Sequence, residues 1–237
     1  MASVDRKWLP PALIACAGVA SIIASHWLPP MLGFDLDGLL PWSLPPSRVG
    51  PRWLALSLLP TVALLLWIGF RLAPTIAGQR IGRRLFPTAA DAVTAPSQFE
   101  RFGKSYETIV LAVVLLVLGF HAGLLAAALH ANAAAARIIP LVLGGSLVLL
   151  GNVMPRLRPN WVAGLRTPRL LADPQLWRDA NRTFGSAIVV SGILTVVAGI
   201  AAPSFGLLVG IAGLVVSCCV ALLAGGGERK LSEPAPR

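Results

Sequence analysis

The residues best suited to chemistry in this 237-residue chain are arginines and asparagines gathered in one stretch. Between positions 155 and 183 stand six arginines and no lysine: Arg156, Arg158, Arg166, Arg169, Arg178 and Arg182. A guanidinium is a planar fork that meets a phosphate or carboxylate with two parallel hydrogen bonds, where an ammonium offers a point charge. Pro155, Pro159, Pro168 and Pro174 stiffen the same stretch. The amides of Asn152, at its start, and Asn160, within it, can satisfy backbone groups left open where a helix ends. Asp173-Pro174 reads as an N-cap and first turn, so a helix should begin there and carry Trp177 onward. Trp161 and Trp177 read as interfacial anchors. Such a set can hold an anion or a partner. The nearby acids, Asp173 and Asp179, have neither His nor Cys beside them, and Asp173 is better used as a cap.

Other candidates carry less. His121 and His130 lie in or at the end of an apolar run, where ionisable groups are functional by default. No carboxylate in any run can pair with them, so hydrogen bonding across a bundle is the simpler role. Asp35-x-Asp37 alone is too small a set for a cation site, and Cys16, Cys218 and Cys219 sit in apolar runs without disulfide or metal-ligand spacing. No catalytic residue, metal or cofactor is expected.

The elements that position the loop are set by the solvent. The chain is 56% hydrophobic and 13% charged, whereas a soluble domain has about 25% charged residues. A soluble enzyme and a disordered chain are both excluded. Six apolar runs, 9–27, 53–70, 108–130, 138–154, 184–202 and 205–224, contain no Asp, Glu, Lys or Arg. Runs of about 17–25 apolar residues read as transmembrane helices. The first resembles a lipoprotein cleavage box at Cys16, but its apolar residues continue well past the cysteine, so an uncleaved helix is expected. The fold class is an all-α integral membrane protein with six transmembrane helices.

Basic residues orient it. Seventeen of the 20 Lys and Arg fall in the two tails and the loops 71–107 and 155–183, while Arg48, Arg52 and Arg137 lie on the other side. Both termini and both basic loops are therefore expected in the cytoplasm. The net charge of +10 is mostly a topology signal, and it also attracts anionic headgroups, so direct nucleic-acid binding is not needed to explain it. The chain divides into a helix pair over 1–72, a basic linker over 73–105, a four-helix module over 106–224 and a tail over 225–237. The external loop 28–52 is proline-rich yet apolar, suited to the outer leaflet or to a greasy ligand. In the linker, Ser97-x-x-Glu100 reads as a capping box leading into span three. Gly185, Gly192 and Gly199 recur every seven residues along span five, and span six carries Gly206, Gly210 and Gly213. Small residues let helices approach closely in lipid. Spans five and six should form an antiparallel hairpin packed through these faces.

The stretch 151–185 resembles the signature of the SdpI family, bacterial membrane proteins named for immunity to a secreted toxin. The resemblance is carried by Gly151-Asn152, Met154-Pro155, Arg158-Pro159-Asn160, Gly164, Arg166-Thr167-Pro168, Leu171, Trp177-Arg178, Arg182 and Gly185. Arg169 stands where an aromatic is usual, and Asn181 where many members have His. The N-terminal half is only loosely similar, through His26-Trp27, Gly33 and Asp37-Gly38. The resemblance implies a multi-pass protein of the bacterial plasma (inner) membrane. It adds Pro155, Arg158, Gly164, Thr167, Pro168 and Asn181 to Asn152, Asn160, Arg166 and Trp177 as the functional loop. It further implies protection against a membrane-active peptide toxin outside, and signalling in which a winged-helix repressor is held at the membrane inside. Two other classes remain open from the residues alone: a small transporter or permease, and an enzyme acting on lipid headgroups. Transport coupled to ions usually needs carboxylates within the bundle, and catalysis needs an acid–base pair in reach. Neither is evident here, so a non-enzymatic role is expected.

Overall fold

Helices form at all six apolar runs, because a backbone in lipid can satisfy its hydrogen bonds only within itself. The computed structural model describes residues 8–34, 47–77, 103–157, 164, 165, 167, 170 and 173–226. In chain order the elements are α1 (Leu9–Ala24), strands β1 (Met31–Phe34) and β2 (Ser47–Pro51), α2 (Arg52–Ala77), α3 (Gly103–Ala128), α4 (Asn132–Val153), a 3₁₀ turn at Met154–Arg156, α5 (Pro174–Ala201) and α6 (Pro203–Gly226). α2 to α6 are each long and apolar enough to cross a membrane. This is the architecture of a helical, multi-pass membrane protein. At 16 residues α1 is the short one, about 24 Å against a hydrocarbon core of about 30 Å.

The all-α expectation needs one addition. β1 and β2 pair antiparallel, Met31 opposite Pro51 and Phe34 opposite Ser47, with a register irregularity between Leu32 and Gly33. Prolines at 29, 30 and 51 disfavour helix at these sites, and a two-stranded ribbon is the remaining way to pair the backbone. Arg52 fastens this end: its Nη1 donates to the carbonyls of Ser25 at 3.0 Å and Leu28 at 2.9 Å, just past the end of α1. The capping box at Ser97 and Glu100 lies outside the described residues.

α1 packs on α2 and α3, α2 on α3, α3 on α4, and α4 and α6 both on α5. Three helices, α3, α5 and α6, approach α4 through glycine. A Cβ on Gly144 would meet the Gly192 carbonyl at 2.6 Å, and one on Gly192 the Gly144 carbonyl at 2.7 Å. One heptad away, Gly151 and Gly185 stand in the same relation, each 2.6 Å from the other's carbonyl. The seven-residue glycine face of span five therefore packs on span four, which corrects the expectation that it faces span six. α6 applies its own glycines to both α4 and α5: Gly206 lies against Pro140 and Gly199, Gly210 against Leu143 and Thr195, Gly213 against Ser191. On the other side of α4, Gly119 and Gly123 of α3 receive Val142 and Ile139. Only Ala202 separates α5 from α6, so the expected hairpin forms. Between them Ser191 Oγ donates to the Gly213 carbonyl at 3.0 Å and lies 3.0 Å from Ser217 Oγ, a small buried polar link.

Candidate functional site

The loop between α4 and α5 is built onto the first turns of α5. Asp173 caps that helix, its carboxylate accepting from the backbone N–H groups of Gln175 at 2.8 Å and Leu176 at 3.1 Å. Pro174 occupies the first helical position, where no N–H is needed. The cap fixes the phase of the helix. Trp177, Ala180, Asn181 and Phe184 are thereby turned inward, while Gln175, Arg178, Asp179 and Arg182 are turned out.

Trp177 is fully buried, and its indole Nε1–H donates to the Leu157 carbonyl at 2.9 Å, where the 3₁₀ turn gives way to extended chain. Its ring lies among Leu170, Ala180, Leu165 and Leu176. Trp177 is therefore a plug under the loop, not the interfacial anchor expected from its position. One turn later Asn181, also 0% exposed, uses both ends of its amide. Its Oδ1 accepts from the Leu165 N–H at 3.0 Å, and its Nδ2 donates to the Trp177 carbonyl at 3.0 Å. Two side chains four residues apart thus hold the loop at 157 and at 165.

Gly164 shows why the loop needs a glycine there. Its φ is +101°, and a Cβ would meet Asn181 Oδ1 at 2.6 Å and Trp177 Cζ2 at 3.1 Å. Both the backbone conformation and the space demand Gly. Thr167 accepts from the Leu170 N–H at 3.3 Å, closing a short turn. Pro155 and Met154 lie over Gly185, whose missing Cβ admits them at 2.9 and 3.0 Å.

The structure thus brings Gly164, Trp177 and Asn181 into contact, with Pro155 and Thr167 in the same loop but in separate contacts. Asn152 is exposed, and its side chain forms no hydrogen bond among the described residues. The role of satisfying loop backbone, expected of it, falls to Asn181. Arg158, Asn160, Arg166 and Pro168 lie outside the described residues. Sequence reasoning missed Leu157 and Leu165, which contribute through backbone atoms and leave no trace in residue type. Asn181 had a signal: an amide four residues from a Trp, on the helix face that then continues as Phe184 and Ile188.

Comparison with known proteins falls on this same stretch. The model of the SdpI/YfhL protein family matches residues 156–225, which are the loop, α5 and α6. Residues 156–225 are similar to the SdpI/YfhL family. The chain is 28% identical over 86 residues to the uncharacterized protein YfhL of Bacillus subtilis strain 168, covering 35% of this chain and 78% of that one. No solved structure matches the chain. The SdpI/YfhL match begins one residue before Leu157, the carbonyl that receives the Trp177 indole. The pinned loop therefore lies within the matched segment, at its start.

A concavity lies where α1 ends and α2 begins. It is a groove of about 350 Å³ lined by Gly18, Ser21, Ser25, Trp53, Ser57 and Thr61 among apolar neighbours. Next to it Ser21 Oγ lies 2.8 Å from His121 Nε2 and donates to the Ala17 carbonyl at 2.9 Å. With Ser21 donating to Ala17, the imidazole N–H is the donor to Ser21, a buried link between α1 and α3.

Proposed function

We propose that this chain is a non-enzymatic immunity protein of the bacterial plasma membrane, protecting against a membrane-active peptide toxin. We further propose that the toxin-engaged state signals inward by holding a transcriptional repressor of the winged-helix class. The observation that supports the reading is that the segment similar to the SdpI/YfhL family includes a loop pinned by Trp177 and Asn181 and admitted by Gly164. A loop held this firmly presents a shaped surface, which suits recognition more than general attraction to charge. In this reading six helices span the membrane, both termini are cytoplasmic, and the pinned loop faces a cytoplasmic partner. The 28–52 segment and the groove beside Trp53 then share the outer end, where a hydrophobic peptide arrives.

Arg166 distinguishes shaped contact from mere charge. A partner that takes a bidentate fork rejects lysine, whereas headgroup attraction accepts it. Toxin survival and reporter induction should be measured beside membrane abundance for the wild type, Arg166→Lys and Arg166→Ala. The expected result is that Lys fails nearly as badly as Ala at undiminished abundance. Full activity of the lysine variant would return the loop to a lipid-anchoring role.

A further inference from the structure

The outward face of α5 carries a second feature that the pinned loop does not use. Pro155, Gln175, Arg178, Asp179 and Arg182 line an open cleft of about 640 Å³. The four α5 residues follow helical spacing of three and four, so their side chains lie on one stripe. Arg178 Nε donates to the Pro174 carbonyl at 3.3 Å, which leaves its terminal nitrogens uncommitted among the described residues. Arg182 and Asp179 have no partner among the described residues. Asp179 adjoins Arg178 in sequence and lies three residues from Arg182, yet no ion pair forms between them. The cleft thus offers two cations and one anion, all unpaired.

Helix length sets the depth of the cleft. α5 has 28 residues, about 42 Å at 1.5 Å per residue. Its stretch 183–201 contains no charged residue and is 19 residues long, about 28 Å, which fills a hydrocarbon core of about 30 Å. The charged first turns then stand in the headgroup layer. A soluble anion would find only arginines useful here and would be repelled by Asp179.

We propose that this cleft is a headgroup site for a phospholipid that carries both a phosphodiester and a primary ammonium, as phosphatidylethanolamine does. The phosphodiester lies between Arg178 and Arg182, which donate charge-assisted hydrogen bonds to its oxygens. The ammonium, two carbons away, donates to the Asp179 carboxylate, and Gln175 is within the same cleft for a remaining polar contact. Every charge in the cleft is then paired. A phosphatidylglycerol headgroup satisfies the arginines but leaves the carboxylate beside a second anion.

The test uses the full-length protein in detergent, with native mass spectrometry after incubation in an equal mixture of phosphatidylethanolamine and phosphatidylglycerol. The wild type should retain phosphatidylethanolamine in preference. Asp179→Asn should lose that preference while still retaining phosphatidylglycerol. Arg182→Gln should weaken retention of both, about tenfold for the loss of one charge-assisted hydrogen bond. Both positions are exposed, so the variants keep the fold, and an unchanged unfolding midpoint verifies it. Equal or greater retention of phosphatidylglycerol by the wild type overturns the proposal, as does unchanged selectivity in Asp179→Asn. Inorganic phosphate or glycerophosphoethanolamine competing as well as the whole lipid overturns the membrane source of the ligand. No toxin enters the measurement, so its failure leaves the proposed function standing.

Discussion

Trp177 is the residue on which the loop's geometry depends most directly. Replacing it by Phe keeps most of the apolar volume but leaves the Leu157 carbonyl without its indole donor. A buried acceptor stripped of its partner costs about 1–3 kcal/mol. Trp177→Phe should therefore lower the unfolding midpoint in detergent and also cut activity in the toxin assay, since residue 157 is no longer held. Loss of stability with full activity would detach the pinned loop from function. His130 presents the opposite situation. It sits at φ +60° just beyond α3, where its N–H bonds the Ala127 carbonyl and the Ala131 N–H bonds the Ala126 carbonyl. This is a helix stop that glycine usually fills. The side chain is exposed, so His130→Gly should relieve backbone strain and stabilise by roughly 0.5–1 kcal/mol, read as a higher midpoint in the same measurement. A lower midpoint would show that the imidazole makes a contact of its own. Nothing in the letter H at 130 signals a cap; the information lies in the backbone angle.

At the scale of elements, the decisive contact is between α4 and α5. Gly192 lies against the Gly144 carbonyl and against Val148, so even one methyl group has no room. Gly192→Ala should separate the two helices and cost about 1–3 kcal/mol, the range for overpacking a tight site. Gly145 of α4 has open space where a Cβ would go, so Gly145→Ala on the partner helix should leave the midpoint unlowered and serves as the control. The heptad spacing of 185, 192 and 199 marked a close-packing face correctly, because small residues are the main route to intimacy between helices in lipid. The identity of the partner helix was not legible. Every apolar helix is an equally greasy neighbour, and the choice rests on where Gly144 and Gly151 stand in three dimensions. The functional loop shows the same division. Asp173-Pro174 announced the start of α5, since a cap acts through local backbone groups, and the helix begins there. The link from Trp177 to position 157 depends on a carbonyl twenty residues away, which no local pattern reveals.

For the whole molecule, the apolar runs were the strongest signal, because lipid tolerates little but helices and penalises each buried charge. The topology proposed for them is tested most simply from outside the cell. A cysteine at position 169, in a background lacking Cys16, Cys218 and Cys219, should resist a membrane-impermeant thiol reagent in intact cells and react after lysis. Cysteines placed between 35 and 46 should react without lysis. Labelling of position 169 from outside would invert the proposed arrangement and with it the side on which any partner is met. The short α1 bears on the same question. Arg52 reaches back to the carbonyls of Ser25 and Leu28, which extends the ordered end of α1 by about one turn of chain without lengthening the helix.

The paired glycines of α4 and α5 have one further consequence. Facing residues add to the same number, 144 with 192 and 151 with 185. Sliding α5 along α4 by one heptad, about 10.5 Å, would set 144 against 199 and 151 against 192, and these are glycines as well. The seam is thus a ratchet with a second notch: it dictates how near the helices lie, yet is indifferent to which notch is engaged. The choice is made at the ends, by Pro140 wedged against Gly199 and Gly206 and by the indole and amide that fasten the loop. A connection that looks like a cover for the bundle is also its catch.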